Sequence, residues 1–224
     1  VSLREFEALH LDLERPAEVF EAPTLLVFAS RHSGETGQLL TAHHTGNAGA
    51  ADYGGEPCAF ARACPNAHAR VLAALADHAP DDYGVAVECT HHGPTDVSVP
   101  SIFAELGSDE SAWDDPAGAT AVAQAIRSLA TDAVTGAPAT AAVGETPRHL
   151  LGVGGGHYAP RFERVLRETA WGVGHVASTW QLSELGDPAD HVETLERAVA
   201  ATDAVAVLAG QDGDDAAAAL AEAG

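Results

Sequence analysis

The sequence predicts an α/β protein in which helices cover a mostly parallel sheet. Three observations carry that prediction. Short apolar runs alternate with helical patterns along the chain, as strand–helix–strand units do. The runs lack the strict alternation of half-buried strands, as expected where both faces of a sheet are covered. Proline opens each helical pattern, where its missing N–H would have had no partner in any case.

Taken in order, TLLVFAS (Thr24 to Ser30) reads as the first strand. Pro65 opens a helix to about Ala79, with Val71, Leu72 and Leu75 on its apolar side. YGVAVECT (Tyr83 to Thr90) is the next strand, and Asp115-Pro116 caps and opens a helix in which Val122, Ile126, Leu129 and Ala133 recur. HLLGVG (His149 to Gly154) precedes a short helix opened by Pro160 and carrying Phe162, Val165 and Leu166. WGVGHVAS (Trp171 to Ser178) is a further strand candidate. Asp187-Pro188 begins a fourth helix, with Val192, Leu195 and Val199 one turn apart, and AVAVLAG (Ala204 to Gly210) closes the series. The pieces near Thr135 to Glu145 and Gln211 to Asp215 read as loops, and no internal repeat is present.

Composition narrows the partners. The 224 residues hold 11 basic side chains, all Arg, against 33 acidic ones, for a net charge of −22, with no Lys and no Met. Too little positive charge is available for a nucleic-acid binder that works through a cationic face, or for a polybasic membrane-surface protein. A hydrophobic content of 46% argues for a packed core rather than disorder, and the length suits one domain. Acidic surface, small residues and 5% aromatics match proteins of a salt-accumulating archaeon. At molar salt the Debye length is about 3 Å, so the self-repulsion is screened. The three cysteines, Cys58, Cys64 and Cys89, form no CxxC pair and read as free thiols of a reducing cytosol. No apolar run approaches a membrane span, and VSLREFEALHLDLERP is not a signal peptide. The missing initiator Met and the helix-like ending AAAALAEAG suggest a piece of a longer protein.

Open α/β sheets bind ligands beyond the carboxyl ends of their strands. Polar clusters fall there in this chain. SRHSGETGQLLTAHHTGN follows the first strand with His32, His43, His44 and Asn47; ECTHHGPT ends the second with Glu88, Thr90, His91 and His92; GVGGGHYAPR follows the third with His157, Tyr158 and Arg161. Three strand ends thus deliver histidines to one expected rim. A strand persisting to His92 would place Glu88, Thr90 and His92 on one face and His91 on the other, unless the Gly93-Pro94 turn releases both. Imidazole and carboxylate suit zinc with activated water, and equally suit proton transfer near neutrality or a merely hydrogen-bonded strand end. The Gly154-Gly155-Gly156 run allows close backbone approach, but it is not GxGxxG, and no P-loop exists without Lys. No GxSxG elbow appears. Cys89 reads as a buried small hydrophobe.

Together, SRHSGETGQLLTAHHTGN, ECTHHGPT, PSIFAELGSDESAWDD and GVGGGHYAPRF closely resemble the archaeal and plant (second-type) D-aminoacyl-tRNA deacylases, over roughly Leu25 to His175. The resemblance implies a three-layer α/β/α sandwich around a mixed sheet, similar to peptidyl-tRNA hydrolases and nucleoside phosphorylases. It implies hydrolysis of the ester joining a D-amino acid to the tRNA 3′ end, with zinc, two ions per subunit. Carried onto this sequence, Glu88, His91, His92 and His157 are the catalytic candidates. His43, His91, His92 and His157 are the metal candidates, and His32, Asn47, Glu105, Gly155, Gly156 and Arg161 would bind substrate; His44 ranks lower. The expectation is a single cytoplasmic catalytic domain over 1–224, a monomer lacking terminal parts of the full protein. It would take the acylated 3′ end of tRNA and no membrane. The alternatives are a phosphorylase- or amidohydrolase-like enzyme on a small nucleoside or amide, and a non-catalytic nucleotide- or metal-binding protein.

Overall fold

The computed structural model describes residues 1–130, 148–187, 191–210 and 213–223. Seven strands form two sheets. The first has the order β1 (Leu26–Arg31), β4 (Ser101–Gly107), β2 (Leu39–His43), β3 (Gly84–Val87). Here β1 runs parallel to β4 and β2 parallel to β3, while β4 and β2 are antiparallel. The second sheet, β6 (Trp171–Ala177), β5 (Arg148–Val153), β7 (Ala206–Ala209), is wholly parallel.

Each helix begins where the sequence supplies a start. α1 (Pro65–His78) opens on proline and stops at Ala79, before Pro80, where the helical conformation is disfavoured. Val71 and Leu75 pack into the core of the first sheet, and Ala69 and Leu72 into that of the second, so α1 spans both. The short α2 (Glu110–Trp113) leads to α3 (Pro116–Ser128), where Asp115 accepts the Ala117 N–H at 2.9 Å as an N-cap. α4 (Pro160–Glu168) buries Phe162 and Leu166. α5 (Thr179–Ser183), α6 (Val192–Thr202) and α7 (Asp214–Ala223) complete the order. α1 and α4 cover one face of the second sheet, while α5, α6 and α7 pack with Leu151, Val153 and Ala177 on the other. The result is a three-layer α/β/α sandwich around a mixed, mostly parallel sheet.

The structure adds β2 and β4, which the search for continuous apolar runs passes over, and ends β3 at Val87 rather than Thr90. Asp214 and Asp215 start α7 instead of closing a loop. Ala133, the expected loop at Thr135 to Glu145, Pro188, Gln211 and Asp212 lie outside the described residues. The three cysteines are free. Among the described residues no helix is long and apolar enough to cross a membrane.

Beyond β3 the chain runs on as a seam between the sheets. Cys89 N–H donates to the His157 carbonyl at 2.7 Å, and Thr90 N–H to Val176 at 2.9 Å. Val176 N–H returns a bond to Thr90 Oγ1 at 3.0 Å.

Candidate functional site

The site stands on a face of the first sheet. Alternation along β4 sends Ile102, Ala104 and Leu106 into the core under α1 and α3, and turns Ser101, Phe103 and Glu105 the other way. β2 divides likewise, with Leu40 and Ala42 in the core and Thr41 and His43 opposite. The register sets Thr41 beside Glu105 and His43 beside Phe103. This differs from a rim of strand ends. Because β2 and β4 are antiparallel, their carboxyl ends do not coincide, and while His43 ends β2, Glu105 reaches the site from within β4.

The seam supplies the next histidines. His92 sits in the left-handed region at φ 49°, which breaks the strand alternation and brings both His91 and His92 to the side of His43. Ring centroids lie 4.2 Å apart for His43–His91, 4.9 Å for His43–His92 and 4.5 Å for His91–His92. Each Nδ1 donates to a carbonyl: His43 to His44 at 3.1 Å, His91 to Cys89 at 2.8 Å, His92 to Gly93 at 2.6 Å. Such outer bonds fix ring orientation and leave Nε2 to face the site. Ligand-capable atoms of the three lie within 4.8 Å of one another, and the fully buried His43 Nε2 has no hydrogen-bond partner. Burial and the His43 charge lower the pKa of His92 to about 3 and that of His91 well below its ordinary value. Burial opposes a charge on His43 too, but Glu105, 3.8 Å from its Nε2, and Glu88 hold its pKa above the ordinary value.

Glu88 is the hub of the second half. Its carboxylate lies 3.0 Å from His32 Nδ1, 3.2 Å from His157 Nε2 and 3.5 Å from His91 Nε2. Burial alone would raise its pKa. The imidazoles of His157, His43, His91 and His32 instead hold it well below the carboxylate range. Burial works against charge on His157, yet the Cys89 thiol and the Glu88 carboxylate raise its pKa to about 10. Three further sets bring metal-capable atoms equally close: Cys89, His91 and His157; His32, Glu88 and His157; His43, Glu88 and Glu105. These buried His, Cys and Glu clusters can chelate a metal ion. His32 Nε2 lies 2.8 Å from the Tyr158 hydroxyl.

The structure thus gathers Glu88, His91, His92, His157, His43, His32 and Glu105. The other candidates stand apart. Asn47 spends its amide on the Gly54 and Glu56 carbonyls at 2.9 and 3.2 Å, clamping a loop. Gly155 exchanges two bonds with Thr179, and the space above Gly155 and Gly156 is open. Arg161 is exposed on the first turn of α4. His44 is committed to the Gly174 carbonyl and the Cys64 N–H. Cys89, read as a buried small hydrophobe, is buried in the core as expected and also brings its thiol close to His91 and His157; sequence reasoning missed Phe103, which underlies the rings of His43 and His92. It also missed His10, whose ring lies 5.7 Å from that of His92 and whose sequence context offers no signal.

Comparison with known proteins bears on the family and the fold. The family model described as D-aminoacyl-tRNA deacylase matches residues 19–218. D-aminoacyl-tRNA deacylases of Haloarcula marismortui, Halorubrum lacusprofundi and Natronomonas pharaonis are 57%, 52% and 54% identical over 98%, 95% and 89% of this chain. The matches cover 49%, 48% and 43% of those proteins, so the chain spans about half the length of the curated relatives it matches. A crystal structure of a conserved protein of unknown function has a TM-score of 0.81 at 29% identity, covering 97% of this chain and 74% of that one.

Proposed function

Because this chain belongs to the D-aminoacyl-tRNA deacylase family, we propose that it hydrolyses the ester between a D-amino acid and the 3′ end of tRNA, releasing both. The observation that carries the reading is the ring of three carbonyl-oriented imidazoles beside two buried carboxylates, within the span that the family matches. The 1–224 segment would act as one cytoplasmic catalytic domain and a monomer.

The donor set fits zinc, which takes imidazole, carboxylate and thiolate ligands. His43, His91 and His92 would hold one ion, and the unpartnered His43 Nε2 supports that placement. A second ion would use His157 with His32 and one Glu88 oxygen, a set that shares no ligand with the first. Bound zinc supplies Lewis-acid polarisation of the ester carbonyl and acidifies water. Glu88, ionised and central, takes a proton from the attacking water. Gly155 and Gly156, with open space above them, would receive the terminal adenosine, and the exposed Arg161 would meet a phosphate. Chirality is read by exclusion of an L side chain.

The test incubates the protein with D- and L-aminoacyl-tRNA in molar KCl, with and without chelator. D-ester hydrolysis alone is expected, lost with chelator and restored by zinc. Equal hydrolysis of both esters, or of neither, would overturn the reading, and the metal-to-chain ratio distinguishes one ion from two.

A further inference from the structure

Beside the site one exposed ring is carried on a firmly held loop. Tyr53 is 66% exposed, the most of any aromatic side chain among the described residues. Its surroundings are tied from several sides. The Asn47 amide donates to the Gly54 and Glu56 carbonyls at 2.9 and 3.2 Å, and Glu56 N–H donates to Thr95 Oγ1 at 3.0 Å. Gly93 N–H donates to the Tyr53 carbonyl itself at 3.0 Å. The Gly93 carbonyl in turn orients the His92 ring at 2.6 Å. A single residue thus ties Tyr53 to the three-histidine group.

Packing beneath the loop leaves no slack. Gly54 and Gly55 take φ of 80° and 75°, the left-handed region that glycine enters without strain. A Cβ on Gly55 would lie 2.8 Å from Thr95 Cγ2, and one on Gly93 would lie 2.6 Å from the Gly55 nitrogen. At Gly54 it would run into the Leu11 carbonyl. The backbone is therefore fixed around Tyr53, while the ring it carries is left in solvent. A ring on a mobile loop gives up ordering entropy when it binds; one already held offers a flat apolar surface at little such cost.

Charge decides what such a surface can hold here. With a net charge of −22, the protein offers backbone phosphates little attraction. Stacking on an aromatic ring needs no opposite charge and tolerates any base, because every base has a flat π-face. Salt does not screen it, as it screens an ion pair. We propose that Tyr53 is a substrate-binding residue on whose ring an unpaired base of the tRNA 3′ end stacks, which brings the acylated terminus to the three histidines. The identity of the RNA rests on the deacylase reading; the stacking surface rests on the loop.

Tyr53→Ala removes the ring, and Tyr53→Phe keeps the ring without its hydroxyl. On D-aminoacyl-tRNA in molar KCl, Tyr53→Ala should raise KM by roughly 5–150-fold, the worth of one base on one ring, with the loss in KM rather than kcat. Tyr53→Phe should restore the wild-type KM. Binding of the uncharged trinucleotide CCA, followed by calorimetry, should weaken in Tyr53→Ala by a similar factor at low and at molar KCl. A wild-type KM and trinucleotide affinity in Tyr53→Ala, or a loss that Tyr53→Phe does not restore, would overturn the stacking and leave the deacylase reading standing. A wild type inactive on both D- and L-esters overturns the deacylase reading instead. Trinucleotide binding that still depends on the Tyr53 ring then upholds the stacking surface, and binding indifferent to the ring overturns it as well.

Discussion

At the scale of single residues, the site depends as much on what is missing beside His32 as on His32 itself. Gly107 lies on the site face of β4, and the space a methyl group would need there is filled by the His32 side chain. Gly107→Ala must therefore push the imidazole away from Glu88. The expected result is a loss of kcat of about 10²-fold, the cost of displacing a group of the site by an ångström, with a stability loss of about 1–3 kcal/mol from overpacking. Steady-state kinetics beside denaturant unfolding checks both, and full activity in the variant would contradict the arrangement. The residues legible in the sequence were those whose chemistry is concentrated: ECTHHGPT names Glu88, His91 and His92 by itself. Their mutual approach was not legible, because the left-handed turn at His92 and the glycine beside His32 are decided by packing between distant segments.

At the scale of elements, the polar face that makes the site also hid two strands. SIFAELG alternates Ile102, Ala104 and Leu106 against Ser101, Phe103 and Glu105, and LLTAH does the same on a shorter run. A continuous apolar run marks a strand buried between hydrophobic layers, whereas these two strands carry polar residues on one face. Behind that face, buried histidines join the two sheets. His68 on α1 stands 3.2 Å from the Val173 carbonyl of β6 and 3.3 Å from the Ala42 carbonyl of β2. His175 donates to the Ala61 carbonyl at 2.8 Å and accepts the Thr90 hydroxyl at 3.1 Å. Burial lowers the pKa of both His68 and His175 to about 4. The unfolded chain takes up these protons near pH 6.5, and the folded chain refuses them until about pH 4. Their stabilisation is thus complete above pH 6.5 and is lost as pH falls through that window. Each residue contributes up to about 1.4 kcal/mol per pH unit. Unfolding midpoints recorded from pH 7.5 down to 4.5 should fall steadily, and a flat profile would count against the assignment.

At the scale of the whole molecule, a charge of −22 would meet a polyanionic substrate if the proposed reading holds. The two are compatible if the protein grips mainly the acylated terminus rather than the length of the tRNA backbone. Screening at molar salt, where the Debye length is about 3 Å, then removes repulsion without removing an attraction. KM for D-aminoacyl-tRNA should hold or fall as KCl rises from 0.1 M to about 2 M, opposite to a binder that works by counterion release. A steep rise in KM would mean that a cationic track along the tRNA does the binding.

The seam after β3 gives this economy a mechanical side. Glu88, Cys89 and Thr90 are at once the stitch between the two sheets and the segment that carries the central carboxylate. Lengthening it by one residue would turn every side chain it carries to the opposite side and unpick the stitch. Shape and chemistry share the same three residues there, so neither can drift without the other.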